Sequence, residues 1–175
     1  MNLASFPSAY ATATAANAVR IERLLPGPIE RIWAYLTDGE LRRKWLASGD
    51  MTLAVGAPFE LVWRNEELSD PPGQRPEGFD SEHRMQSHVI EVDPPHRLTF
   101  TWQNGEVTFA LEPRGEQVLL TVCHRGISDR NNMLMIGAGW HTHLDILVAV
   151  TRGETPAPFW GQWLRLKAEY DTLLS

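Results

Sequence analysis

The feature that most constrains this chain is a single change of period. From Val19 to the neighbourhood of His124 the apolar residues recur mostly at every second position, and after Ser128 they recur at every third and fourth. Period two marks strands whose alternate side chains share a face. The later period puts Met133, Ile136, Trp140, Leu144, Leu147 and Val148 on one side of a long helix. A succession of strands closed by one long apolar helix leaves few solutions. The sheet must bury one face, and that helix is long enough to cover it.

The alternation predicts a strand over 19–24, broken by Pro26-Gly27-Pro28. Ile29, Ile32, Trp33 and Leu36 then follow at helical spacing. Asp38 is placed to cap a second short helix that carries Leu41, Trp45 and Leu46. Further strands are expected over 51–55, 59–63, 85–91, 98–103, 107–111 and 118–124. Asp93-Pro94-Pro95, Asn104-Gly105 and the turn 113–116 separate the last four, with Asn104-Gly105 as a two-residue hairpin. Hairpin following hairpin implies an antiparallel meander. The stretch 69–81 holds several prolines and glycines and reads as one long loop, of the kind that forms lids or contact surfaces. Gly153 and Pro156 end the long helix, and the residues from Phe159 to Leu173 suggest a shorter final one. Residues 1–17 read as a flexible arm, and 18–175 as a single domain.

Composition narrows the function classes. The 175 residues carry a formal net charge of −6, so the basic footprint of a nucleic-acid binder is absent. No run approaches the roughly 18 consecutive apolar residues that mark a membrane span. Cys123 is the single cysteine, which forbids an internal disulfide and makes a reducing cytoplasm the expected compartment.

Ordered short motifs carry a resemblance. They are Trp33-x2-Leu36-Thr37-Asp38, Leu41-x3-Trp45, Glu91-Val92-Asp93-Pro94-Pro95-x-Arg97-Leu98-x-Phe100-x-Trp102, Thr121-Val122-Cys123-His124 and Gly139-Trp140-x2-His143-Leu144-Asp145. Together, over about residues 18–174, they resemble the domain named for the activator of the heat shock protein 90 ATPase, within the SRPBCC or START-like superfamily. The resemblance implies an α+β helix-grip fold. In it, about seven curved antiparallel strands wrap a long C-terminal helix, with a cavity between them and two short helices after the first strand. It does not choose a function, because the superfamily includes lipid carriers, hormone receptors, polyketide cyclases and proteins with no known ligand.

The expected ligand-binding residues are those whose strand or helix face turns inward: Trp63, Met85, Phe100, Trp102, Phe109, His124, Trp140 and Leu144. Arg23 and Glu91 share faces with apolar residues and join His124 as polar pocket candidates, able to orient a ligand or move protons. His141 and His143 point apart on a helix, which argues against a metal site. His141 and Asp145 are spaced for a hydrogen bond to each other, and His143 for contact with a neighbouring loop. Cys123 and His124 lie on opposite faces of a strand and cannot act as a pair. Arg42-Arg43-Lys44 reads as a solvated basic face. Trp160 and Trp163 suggest a symmetric dimer surface. The reading is a module that binds a small apolar or aromatic molecule, with no cofactor, metal, nucleic-acid or membrane partner. A cyclase or aromatase using the same cavity is the first alternative. A partner of a heat-shock chaperone ATPase is the second.

Overall fold

In the computed structural model, which describes residues 9–174, the chain forms β1 (Thr12–Ala15), β2 (Ala18–Pro26), α1 (Ile29–Thr37), α2 (Gly39–Arg42) and β3 (Pro58–Trp63). A single 3-10 turn, Asn65–Glu67, and a long loop lead to β4 (His83–Asp93), β5 (Arg97–Trp102), β6 (Gly105–Arg114) and β7 (Gln117–Arg125). The helices α3 (Arg130–Arg152) and α4 (Phe159–Leu173) complete the chain. The seven strands form one antiparallel sheet in the order β1-β2-β7-β6-β5-β4-β3. This is the helix-grip fold. Every strand from β3 to β7 lies beside its sequence neighbour, while β2 crosses to pair with β7.

Local chemistry explains the helix ends. The carboxylate of Asp129 accepts the Asn132 amide at 2.9 Å and starts α3, and Gly153, at φ 72°, ends it in the left-handed region. Asp38 likewise accepts the Glu40 amide at 2.9 Å and starts α2. α3 is the one described helix long and apolar enough to cross a membrane, but about 67% of its apolar window is buried inside the domain. It lies against the sheet on one side and α4 on the other, so residues on opposite flanks, such as His141 and His143, are both buried.

Four expectations are corrected. The segment 51–55 is not a strand. Val62 of β3 is bridged by Ser48 instead, and Leu53 and Val55 stay exposed with no ladder to join. The seventh strand comes from the supposed arm, where 12–15 pairs with β2. The β5–β6 turn is Gln103-Asn104, with Trp102 opposite Gly105. Gly105 is needed in the strand, since a Cβ there would stand 1.9 Å from the Arg125 carbonyl oxygen. Finally, Arg42 is not part of a solvated face.

Arg42 is 1% exposed. Its guanidinium donates to the carbonyls of Leu36, Thr37, Ala47 and Gly49, closing the chain around α2. Burial pushes its pKa down to about 10, which still leaves it charged at neutral pH. The planar fork reaches several carbonyls at once, which a lysine ammonium does not do. Arg42→Ala is expected to cost about 3 kcal/mol by leaving buried carbonyls unpaired. That is a fall of roughly 6–12 °C in Tm for a chain of this size, measurable by thermal denaturation, with Arg42→Lys recovering only part of the loss.

Candidate functional site

The sheet's concave face and α3 do not meet along their whole length. Beside the β5–β6 turn, residues of α3, of the start of α4 and of the loop before β4 border a common space. It is a cavity of about 410 Å³. Five of the chain's seven tryptophans line it: Trp63, Trp102, Trp140, Trp160 and Trp163. Phe79 and Phe159 add two further rings. The volume and the aromatic wall are those of a small-molecule site.

The wall is rigid where strands and α3 supply it. Trp102 packs at 5.2 Å from Trp63 and at 5.4 Å from Trp140, ring centre to ring centre. Trp140 is fixed by its indole N–H, which donates to His124 Nδ1 at 2.9 Å. That bond makes Nδ1 the acceptor, so the neutral ring of His124 carries its proton on Nε2. His143 occupies the wall beside Phe159, and its Nδ1–H donates to the Trp45 carbonyl at 2.8 Å.

The loop side is held differently. The backbone N–H of Phe159 donates to Ser69 Oγ, and that of Trp160 donates to the Pro72 carbonyl, each at 2.9 Å. The long loop thereby caps the first turn of α4 from outside, where no residue of α4 itself supplies a side-chain cap. Phe79, near its end, lies 5.7 Å from Trp160 and 5.3 Å from Trp163. Gln103, the one non-glycine with positive φ among the described residues, also borders the cavity.

Several expected residues converge here and several do not. Trp63, Trp102 and Trp140 line the cavity. Phe100 and Phe109 pack behind them, and Met85 and Leu144 are buried in the same core. His124 stands behind Trp102 and Trp140 as a support. The trio of Arg23, Glu91 and His124 is not assembled. Ile90 is an extra residue in β4, so Val89 pairs with Phe100 while Glu91 pairs with Thr99. That bulge reverses the alternation and turns Glu91 to the outer face. There Arg97 bonds to its carboxylate at 2.8 Å and holds it below the usual carboxylate range.

Arg23 does face α3, but it pairs with Leu120, four residues along β7 from His124, and bonds Asp145 at 3.0 Å. Asp145 also faces His141 Nε2 at 3.4 Å, and His141 Nδ1 meets the Tyr170 hydroxyl at 2.8 Å. The same hydroxyl accepts the Ala11 N–H at 2.7 Å. This chain of bonds ties the N-terminal segment to α3 and α4. Burial raises the Tyr170 hydroxyl to about 12, which keeps it neutral.

Sequence reasoning missed Asn65, Phe79, His143, Trp160 and Trp163 as wall residues. The last two were assigned to an exposed dimer surface, yet they are 4% and 5% exposed within the chain itself. A depression beside Tyr10 and Leu173, of about 800 Å³, is larger and somewhat more open. The two buried side-chain polar atoms without a partner among the described residues, Trp160 Nε1 and Asn65 Oδ1, both belong to wall residues of the aromatic cavity.

A family model described as "Activator of Hsp90 ATPase homolog 1-like protein" matches residues 26–152. The chain belongs to that family. Family membership places it among the SRPBCC proteins. The solution structure of a Bordetella parapertussis protein is 35% identical, with a TM-score of 0.78 over 95% of this chain and 91% of that one. A conserved protein of unknown function from Enterococcus faecalis is 19% identical, with a TM-score of 0.69 over 98% of this chain and 91% of its own. CalU16 from Micromonospora echinospora is 21% identical, with a TM-score of 0.65 over 90% and 88%. The last two share the fold. No curated protein matches the chain.

Burial lowers His124 and His143 from 6.5 to about 4, so both are neutral at pH 7. In the unfolded chain they would titrate near 6.5. Between those values the unfolded state binds more protons than the folded state. The stability from neutral burial is therefore complete above about pH 6.5 and is lost as pH falls toward 4. The two together are expected to cost roughly 3–4 kcal/mol between pH 7 and pH 5, read as a drop in the urea midpoint. His124→Gln and His143→Gln should each flatten that dependence.

Proposed function

We propose that this protein binds a small, largely aromatic molecule in the cavity between β3, β5, α3, α4 and the long loop. The observation that carries the reading is the concentration of five tryptophans around one space of about 410 Å³, two of whose lining residues carry the unpartnered buried polar atoms. A core built only for stability fills such a space and pairs such atoms. Membership of the SRPBCC family supports a ligand-binding role.

Proton-transfer chemistry at the three residues first considered for it has little geometric support. Glu91 is outside, Arg23 is committed to Asp145, and His124 holds Trp140. His143 is the imidazole of the wall with a resolved shift, and burial keeps it well below neutrality. Binding without turnover fits this arrangement better than catalysis.

Gly139 supplies a direct test. It lies on α3 at the cavity wall, and a Cβ built there meets nothing within 4 Å. Gly139→Leu should fill the space while removing a mid-helix glycine, which adds about 0.5–1 kcal/mol of stability. Titration with the uncharged fluorescent dye prodan should show binding to the natural chain and at least a tenfold loss in the variant, with Tm unchanged or raised. Equal binding by both proteins would place the dye elsewhere and remove the support for this site.

A further inference from the structure

The polar atoms of the cavity say more about the occupant than its volume does. Trp160 Nε1–H is buried and has no acceptor. An indole nitrogen can only donate, so no tautomer or rotation satisfies it internally without moving the ring. Leaving such a donor unpaired is costly, and in native proteins it is uncommon. Trp160 is held on three sides. Its backbone N–H is bound to Pro72, Phe159 stands at 4.8 Å, and Trp163 at 5.9 Å. Phe79, which is 38% exposed and belongs to the long loop, packs against the same ring at 5.7 Å. Asn65, where the same loop begins, presents the second unpartnered atom. Its amide offers a donor or an acceptor according to which way it is turned, so the directional requirement comes from Trp160.

The charge of the wall is equally specific. Among the described residues no lysine or arginine lines the cavity, and the one lining carboxylate is that of Asp80, on an exposed residue of the loop. The wall's two histidines are His83 and His143. Burial keeps His143 neutral, and its Nδ1–H is already given to the Trp45 carbonyl. A carboxylate or phosphate placed here finds no lining lysine or arginine to pair with, the ammonium nearby being that of Lys167 at 5.6 Å from the Trp163 ring centre, and is desolvated at high cost. The tryptophan faces could attract an organic cation, but a quaternary ammonium brings no acceptor for Trp160.

We infer that the occupant is an uncharged, flat aromatic molecule bearing a carbonyl-type acceptor, and that this acceptor takes the Trp160 indole N–H. The inference rests on the cavity reading and sharpens it from shape to chemical class. It makes Trp160 the residue that selects the ligand, while Trp140, whose indole N–H is already given to His124, supplies contact area only.

Four near-isosteric naphthalenes test it on the full-length protein: 2-acetylnaphthalene, 2-isopropylnaphthalene, 2-naphthoate and 2-naphthyltrimethylammonium. Isothermal titration and the quenching of tryptophan fluorescence report the affinities. 2-Acetylnaphthalene should bind roughly tenfold more tightly than 2-isopropylnaphthalene, the size of one recovered hydrogen bond, with both ions weaker still. Trp160→Phe should remove the advantage of the ketone, bringing the ratio of ketone to hydrocarbon affinity from about tenfold to about one. The comparison on the natural chain needs no variant, so it stands even if Trp160→Phe fails to fold. Equal binding of ketone and hydrocarbon would overturn the inference and leave the cavity reading intact. Tightest binding of either ion would overturn the assignment of charge. Failure of all four to bind would count against the cavity reading itself.

Discussion

The hydrogen bond from the Trp140 indole to His124 is the join on which the site depends. β7 is central in the sheet, between β2 and β6, and α3 is the longest helix. Fastening the two at this point sets the separation of sheet and helix where the cavity begins. The bond requires a neutral His124, because a protonated imidazole has no lone pair for the indole to reach. Burial supplies that neutrality. The same desolvation that makes His124 a poor proton-transfer group thus makes it a reliable acceptor, and the wall formed by Trp102 and Trp140 follows from its position.

The opposite wall has no such join. It is assembled from a loop and the first turn of a helix, each completing the other. α4 starts without a side-chain cap of its own, and the loop supplies Ser69 and Pro72 as acceptors. In return, Trp160 and Trp163 give Phe79 an apolar surface. A wall closed by a few hydrogen bonds and one phenyl ring opens at lower cost than one closed by strands. The fold therefore divides the cavity into a fixed half, which sets its shape, and a yielding half made of the loop and the first turn of α4.

Much of the fixed half is legible in the sequence. The alternation in β3 and β5 places Trp63 and Trp102 on the inner face, and the helical spacing of α3 places Trp140 there. Those signals are periodic, and periodicity survives without knowledge of neighbours. Glu91 shows where it fails. Residues 85, 87, 89 and 91 keep strict spacing, and nothing in Val89-Ile90-Glu91 announces the bulge that turns Glu91 outward. The strand over 51–55 fails for the opposite reason, since apolar alternation is present but the partner edge is already bridged by Ser48. The yielding half carries no period at all. Phe79 lies among breakers, and Trp160 and Trp163 look exposed on a helical wheel because the surface that buries them is a loop distant in sequence. Arg42 is the same lesson in charge. Its neighbours Arg43 and Lys44 suggest solvent, and only the return of the chain through Ala47 and Gly49 shows four carbonyls converging on it.

The central claim is that one space, walled by Trp63, Trp102, Trp140, Trp160 and Trp163, receives a ligand. The most direct measurement is the set of indole N–H resonances in the 15N-labelled protein, assigned and followed by NMR as prodan is added. The account predicts that those five resonances shift together along one binding curve, with Trp160 moving most, while Trp33 on α1 stays in place. Unmoved wall tryptophans at saturating dye, or a shift of Trp33 as large as theirs, would contradict it.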